Sequence, residues 1–147
     1  MLSMKAKYAL RAMMVLANNE RKLMQTKAIA RSADVPHKFL EAILSDLKNR
    51  GVVSSKRGVM GGYQLSRPAD LITIGDIIRL MDGPLAPIRC ASVTAYQTCE
   101  DCPDETRCAI RDVMVDVRIA ISGVLDQRTI ADLIRGPRVP AESLLDD

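Results

Sequence analysis

The sequence predicts a mostly α-helical protein that carries one small β-hairpin. Aromatic residues make up only 3% of the 147 residues, so the core must be built from Leu, Ile, Val, Ala and the eight Met residues. Apolar residues recur at helical spacing along most of the chain, and the spacing changes to an extended pattern after Gly51. A chain of this length is expected to form one compact domain with an appended segment.

Two helices are predicted before the sequence ADVP. Residues 2–17 place apolar side chains at helical spacing, with Ser3 as the N-cap. A short second helix begins at Thr26 and ends at the polar ADVP corner. The residues that this second helix is expected to bury are Ala28, Ile29 and Ala33.

A third helix and a hairpin follow. Pro36 suits the first turn of a helix, because its missing N–H needs no partner there, and Gly51 suits a left-handed stop. The apolar stripe between them consists of Phe39, Leu40, Ile43, Leu44 and Leu47. The segments VVSSKR and YQLSRP favour strands, and GVMGG between them favours a turn. This order predicts a winged helix-turn-helix domain, whose third helix enters the major groove of DNA while the wing lies along the backbone.

The charge distribution supports DNA as the partner. Residues 1–70 carry 13 Lys and Arg against 5 Asp and Glu, whereas residues 71–147 carry 8 against 13. A solvated basic surface would also show a bias, but cations presented together attract phosphate by releasing its counterions. The candidate base readers on the third helix are His37, Lys38, Glu41, Ser45 and Lys48. The candidate phosphate or minor-groove contacts in the wing are Ser54, Ser55, Lys56 and Arg57.

A long helix is predicted to begin near residue 103. Its apolar residues follow the a and d spacing of a coiled-coil seam, namely Ile110, Met114, Val117, Ile121 and Val124. A seam of this length is too short to be stable alone, so it must pack within the chain or meet its own copy. We favour a homodimer, because two copies bring two recognition helices to the half-sites of a palindromic operator.

The chain is expected to divide into four parts. These are a winged helix-turn-helix domain over residues 1–82, a cysteine-bearing loop over 83–108, a dimerisation helix with a short terminal helix over 109–135, and a flexible tail over 136–147. Thr73 and Thr129 are the expected caps of two further helices. Because no apolar window approaches the length of a spanning helix and the amino end lacks a cleavage-like site, we expect a cytoplasmic protein without membrane contact.

The four cysteines lie together in the polar segment CASVTAYQTCEDCPDETRC, residues 90–108. Clustered cysteines in a reducing compartment indicate metal binding or redox chemistry, and polar neighbours favour exposed thiols over buried structural ones. Four thiolates satisfy tetrahedral zinc, whereas an iron–sulfur cluster tolerates ligands scattered along a loop. The spacing leaves zinc and a cluster both open, with a dithiol switch as a third choice. No pattern of a redox enzyme surrounds the C-x-x-C pair, so an enzyme is not expected.

Four motifs resemble one family of regulators. They are YALRAMMVLA, FLEAILSDLKNRGVVSSKRGVMGGYQLSRP, ITIGDIIRLMDGP and CAIRDVMVDV, and they resemble the Rrf2 (BadM-type) transcriptional regulators, which include IscR, NsrR and RirA. The resemblance implies a dimeric winged-helix DNA-binding protein, often a repressor. It also implies that loop cysteines hold a [2Fe-2S] or [4Fe-4S] cluster that governs operator affinity.

The resemblance implies a ligand set. Cys102 and Cys108 match the spacing of the family's middle and last cysteines, and Cys90 stands for the first. Cys99 is then an addition that replaces a non-cysteine fourth ligand. Arg111 and Lys7 stand where some family members carry a histidine and an aspartate, and a cation cannot ligate iron. The four candidate metal ligands are therefore Cys90, Cys99, Cys102 and Cys108.

The resemblance also assigns DNA contacts. Glu41 matches a recognition-helix glutamate that tunes base preference, as a carboxylate that accepts from cytosine would. The RG..GGY element of the wing reaches the minor groove in the family, and it carries over to Arg57, Gly58, Gly61, Gly62 and Tyr63.

The sequence and the resemblance together predict a repressor that senses iron, oxygen, nitric oxide or redox state through a cysteine-bound cluster. The alternative is a cluster-free thiol regulator, in which Cys99 and Cys102, or Cys90 and Cys108, form a disulfide under oxidants.

Overall fold

The computed structural model describes residues 2–19 and 22–137, and these residues form helices and one antiparallel hairpin. The prediction of a mostly α-helical fold with a small β-wing is confirmed. The helices are α1 (Met4–Asn18), α2 (Thr26–Ala33), α3 (His37–Asn49), α4 (Ile74–Asp82), α5 (Ala109–Leu125) and α6 (Ile130–Ile134). The wing strands are β1 (Val53–Lys56) and β2 (Gly62–Leu65). In the described ranges no helix has the length and apolar character needed to cross a membrane.

The expected caps are confirmed by their hydrogen bonds. The Ser3 side chain accepts from a backbone N–H of the first turn of α1. Thr73 and Thr129 each form a reciprocal capping box with an aspartate three residues later, which satisfies two orphan donors at each helix start. Gly51 has a φ of 72°, the left-handed conformation predicted for the end of α3.

The core forms around α1, which packs against α2, α3, α4 and α6. Its buried face consists of Ala6, Ala9, Ala12, Met13 and Leu16. Small alanine side chains let the surrounding helices approach closely. Ile130 of α6 is fully buried in the same core, and its N–H donates to the Ile72 carbonyl at 2.9 Å. The last short helix therefore returns to the amino-terminal domain after α5 has left it.

Two predicted core positions are wrong. Ala28 is exposed, because α2 is short and turns only Ile29 and Ala33 inward. Phe39 is 48% exposed, and its ring lies 6.3 Å from that of Tyr8 at the edge of a groove between α1 and α3. The apolar stripe of α3 is wider than the surface that packs against the core, so Phe39 at its edge stays exposed.

The start of the long helix also differs from the prediction. α5 begins at Ala109, and a 3-10 turn over Glu105–Arg107 precedes it. The Cys108 sulfur accepts from the Arg111 N–H at 3.4 Å and so caps the helix. Of the predicted flexible tail, residues 138–147 lie outside the described residues.

Replacing Gly62 by Ala is expected to destabilise the protein by about 1–3 kcal/mol. Gly62 has a φ of 145°, and a Cβ there would overlap the Met24 carbonyl group. The control is Gly123→Ala in α5, where an added Cβ meets no neighbouring atom. Because Ala favours a helix more than Gly does, this substitution should raise the free energy of unfolding by about 0.5–1 kcal/mol. Urea denaturation at fixed protein concentration measures both. Equal destabilisation by the two substitutions would contradict the close approach of the wing to Met24.

Candidate DNA interface and cysteine cavity

All five predicted base readers are exposed on α3. His37, Glu41 and Ser45 follow one another at steps of four residues, so they share one face of the helix. The His37 Nδ1 and Glu41 Oε1 atoms lie 3.7 Å apart, so the two side chains form an ion pair only when the imidazole carries a positive charge. The Lys38 ammonium lies 4.9 Å above the Phe39 ring. The exposed face of α3 is thus polar and free to meet another surface.

The wing separates into an exposed tip and a held inner side. Lys56, Arg57 and Gly58 are exposed, and Ser54 and Ser55 are half-buried. Gly61 is buried, and its backbone lies so close to the Lys56 carbonyl group that a Cβ there would overlap it. Gly62 and Tyr63 are half-buried along the inner strand.

Tyr63 belongs to the part of the wing that is anchored to the domain. Its N–H donates to the Met24 carbonyl at 2.8 Å, and the Met24 N–H donates back at 2.9 Å. The Gln25 Nε2 atom donates to the Val59 carbonyl at 2.9 Å, which fixes the tip. These bonds hold the inner strand and the tip backbone to the domain, while the Lys56 and Arg57 side chains stay exposed.

Sequence reasoning missed two residues at the wing tip. Val59 and Met60 are 88% and 89% exposed beside Arg57. Apolar side chains at such a position are the kind that minor-groove proteins insert between base steps. The available signal is the pair of large apolar residues between glycines in the segment GVMGG, which otherwise has the composition of a turn.

The four cysteines line one cavity of about 680 Å³ at the start of α5. None of them is in a disulfide. Charged side chains of both signs line the same cavity, since Arg107 and Arg111 stand beside Asp101, Asp104 and Glu105, and Arg107 lies 3.7 Å from Asp104. Within residues 2–19 and 22–137, no three His, Cys, Asp or Glu side chains are already grouped around a single-ion position. Four soft thiol donors around a roomy cavity fit an iron–sulfur cluster, which needs cysteine sulfur and space for several inorganic atoms.

The cysteines differ in exposure. Cys99 is exposed and Cys102 and Cys108 are half-buried, as their polar neighbours suggested. Cys90 is only 3% exposed, so the prediction of an exposed thiol is wrong there. Cys90 lies in a 3-10 turn, Arg89–Ala91, which packs against α5. Cys99 donates to the Cys90 sulfur at 3.8 Å, and this bond raises the pKa of the Cys99 thiol.

Two arginines of α5 hold the turn that carries Cys90. The Arg111 Nε atom donates to the Cys90 carbonyl at 3.0 Å, and Arg118 donates to the Ala91 carbonyl at 2.9 Å. The two arginines are seven residues apart and lie on one face of the helix. A change in the position of Cys90 therefore reaches α5 directly.

The other end of α5 is held by the amino-terminal domain. Arg79 of α4 makes two hydrogen bonds to the Asp126 carboxylate, each 2.7 Å long, and these bonds lower the pKa of Asp126. A Cβ on Gly75 would meet the Asp126 carboxylate, so α4 leaves room for this pair. α5 is thus fastened to the cysteine loop near its start and to α4 at its end.

The predicted seam forms an apolar face of α5 that its own chain covers only in part. None of the residues of α5, all of which are described, is buried. Ile110 and Val124 are exposed, and Met114, Val117 and Ile121 are half-buried. Val113, which the sequence did not assign, lies between Ile110 and Val117 at steps of three and four residues. The sequence signal for Val113 is its spacing of three residues from Ile110 and four from Val117, which places it beside the seam on a wider apolar stripe.

The fold and the exposed α3 face define a class of protein, the winged-helix DNA-binding proteins. A family model described as Rrf2, iron-dependent transcriptional regulator, matches residues 2–136. The chain belongs to the Rrf2 family. It is a transcriptional regulator and not an enzyme, and membership of this family implies DNA binding.

Individual relatives agree with this assignment. An HTH-type transcriptional regulator described as rrf2-like, from Rhodobacter capsulatus, is 40% identical over 151 residues and covers 100% of both chains. The HTH-type regulator IscR of Serratia proteamaculans is 30% identical over 94% of this chain and 81% of its own. The solved structure of CymR, the global cysteine regulator of Bacillus subtilis, has a TM-score of 0.74 at 35% identity and covers 93% of this chain and 98% of its own.

Proposed function

We propose that this regulator is a homodimeric repressor whose four cysteines hold an iron–sulfur cluster, and that the cluster sets its affinity for a palindromic operator. One observation carries the proposal: every cysteine of the chain is free and lines the same cavity at the start of α5. The family description as iron-dependent supports iron over zinc. When bound, the cluster supplies a site that iron supply, oxygen, nitric oxide or redox state can alter.

The ligands are Cys90, Cys99, Cys102 and Cys108. Arg111 lines the cavity as a cation, and its side chain is already engaged with the Cys90 carbonyl, so it does not compete for iron. Its N–H bond to the Cys108 sulfur is the kind of contact that tunes a thiolate ligand.

The DNA contacts come from α3 and from the wing tip. His37, Lys38, Glu41, Ser45 and Lys48 are the base and phosphate contacts in the major groove. Lys56 and Arg57 follow the backbone into the minor groove, with Gly58 letting the chain approach closely. Gly61, Gly62 and Tyr63 keep the wing in the shape that this approach requires, and Ser54 and Ser55 lie at its base.

The dimer forms through the exposed seam of α5. An apolar groove of about 580 Å³ continues the seam, and Ile121, Leu125, Leu2 and Ile78 line it. A second copy that covers both surfaces leaves no large apolar patch in water, which a stable soluble regulator requires. Two-fold symmetry then places two α3 helices on successive major grooves.

The path from cluster to DNA follows the two attachments of α5. Cys90 would be one of the residues that hold the cluster. Arg111 and Arg118 hold the Cys90 turn to α5, and Arg79 holds α5 to α4 through Asp126. α4 in turn packs against α3 and α1. Without a ligand to hold, Cys90 and its turn would be less constrained at the start of α5. The spacing between the two α3 helices of the dimer would then change, although each helix would keep the same side chains for contact with bases.

Operator affinity is expected to differ by about 5- to 150-fold between cluster-loaded and cluster-free protein, the usual range for coupling between two sites. The duplex is one recovered by selection from a random library with the loaded protein. Affinities are measured without oxygen and at matched salt, because phosphate contacts make binding salt-dependent. Equal affinities of the two forms would refute the sensing mechanism while leaving the DNA-binding assignment intact.

A further inference from the structure

The sulfur contact in the cavity joins a pair of cysteines that the sequence did not suggest. Cys99 and Cys90 lie with their sulfur atoms 3.8 Å apart. The pairings suggested by the sequence were Cys99 with Cys102, and Cys90 with Cys108. The two thiols in contact are also the most unequal in exposure, since Cys99 is exposed and Cys90 is 3% exposed.

Two hydrogen bonds between Arg89 and Gln97, here called the clasp, bring the two thiols together. The Gln97 N–H donates to the Arg89 carbonyl at 3.4 Å, and the Arg89 guanidinium donates to the Gln97 side-chain oxygen at 2.5 Å. These bonds join residues that are neighbours of Cys90 and near neighbours of Cys99, so the chain returns on itself at this point. The Cys90 side of the clasp is held by Arg111 and Arg118, whereas residues 93–101 are all exposed.

We propose that Cys90 and Cys99 form a disulfide when the cluster-free protein meets a peroxide, and that this disulfide blocks cluster assembly until a thiol reduces it. The sulfur atoms must approach from 3.8 Å to a bond length of about 2.05 Å. The Cys99 side chain is exposed, so no packed neighbour opposes its movement toward Cys90. The block rests on the proposed function, whereas formation of the disulfide does not.

The reaction needs one peroxide and the two thiols. The peroxide reacts at Cys99 because this sulfur is exposed and that of Cys90 is not; the hydrogen bond to Cys90 raises the pKa of the Cys99 thiol, which slows the step without preventing it. A sulfur–oxygen bond forms at Cys99 as the oxygen–oxygen bond breaks, and the Cys99 proton leaves with the departing oxygen as water. The Cys90 sulfur then attacks the Cys99 sulfur and displaces the hydroxyl group, which leaves with the Cys90 proton as a second water. The two thiols are oxidised by two electrons, and the peroxide is reduced to two waters.

The disulfide would remove two of the four proposed ligands at once. It would also fix the Cys99 segment to the Cys90 turn, which α5 holds through two arginines. Cys102 and Cys108 alone cannot hold a cluster that needs four thiolates. A peroxide signal would therefore outlast the loss of the cluster, and recovery would depend on the thiol pool as well as on iron.

The test uses the full chain with iron removed and thiols reduced. Hydrogen peroxide is added, remaining thiols are alkylated, and linked peptides are mapped by mass spectrometry without reduction. The matched variants are Cys99→Ser and Cys102→Ser, which each remove one member of the C-x-x-C pair. The wild type and Cys102→Ser are each expected to yield a peptide linked through Cys90 and Cys99 and to lose two free thiols. Cys99→Ser is expected to yield no peptide in which Cys90 is linked to residue 99.

A link between Cys99 and Cys102, a link between Cys90 and Cys108, or a link between two chains in the wild type would overturn the assignment. The block is tested by adding iron and sulfide to oxidised and reduced chains. The oxidised chain is expected to stay colourless until dithiothreitol is added, and equal loading of the two would overturn the block. Failure of the reduced chain to load would instead count against the proposed function, because peptide mapping needs no cluster.

Discussion

Replacing Val113 by Glu is expected to convert the protein from a dimer to a monomer and to lower its affinity for a palindromic operator by about 10²- to 10⁴-fold, the usual gain from linking two binding sites. Val113 is 56% exposed in the single chain, so the carboxylate costs the monomer little. In the proposed dimer the same carboxylate would lose its water against the apolar seam of the partner, without an opposite charge to compensate.

Ile119→Glu supplies the matched control. Ile119 is 54% exposed on the same helix, but it lies on the side of α5 away from Val117 and Ile121. Sedimentation equilibrium gives the dimer dissociation constant of each variant, and binding to full and half operators gives the affinity. A dimeric Val113→Glu with a monomeric Ile119→Glu would place the interface on the other side of the helix.

Loss of one thiol ligand is the second large effect. Cys102→Ser and Cys108→Ser are each expected to abolish the visible absorbance of anaerobically reconstituted protein, because a serine oxygen is a harder and weaker ligand for iron than a thiolate. Cys99→Ser is expected to do the same, because Cys99 is the proposed fourth ligand. Iron and acid-labile sulfide per chain, measured with the spectrum, count the assembled clusters.

Thr98→Ala is the control for these substitutions. It changes an exposed neighbour of Cys99 and keeps all four thiols, so full cluster loading is expected. Full loading of Cys99→Ser would reduce the ligand set to the three cysteines that match the family spacing. Full loading of both Cys102→Ser and Cys108→Ser would remove the cysteine cavity as the cluster site.

Local patterns predicted most of the secondary structure. Ser3, Thr73 and Thr129 were recognised as caps because a cap depends only on a few consecutive residues. The change of spacing after Gly51 located the wing for the same reason. Boundaries were less accurate where a turn could replace helix at low cost, as before Ala109.

The sequence predicted which cysteines belong to the candidate cluster site, but it did not predict how they are arranged. Spacing gathered the four cysteines, but it could not show that Cys90 is buried or that Cys99 is its neighbour. The same limit applies to Arg118, whose bond to the Ala91 carbonyl joins residues 27 positions apart. Such contacts depend on where whole segments pack.

The sequence by itself determined the helices, the hairpin, the grouping of the thiols and the apolar seam, because each is a periodic or local property of consecutive residues. Only the tertiary structure decided that α6 returns to the core, that Val113 widens the seam, and that two arginines of α5 hold the Cys90 turn. The physical reason is that burial and hydrogen bonding between distant segments follow from the packing of the whole chain, which no single stretch of residues specifies.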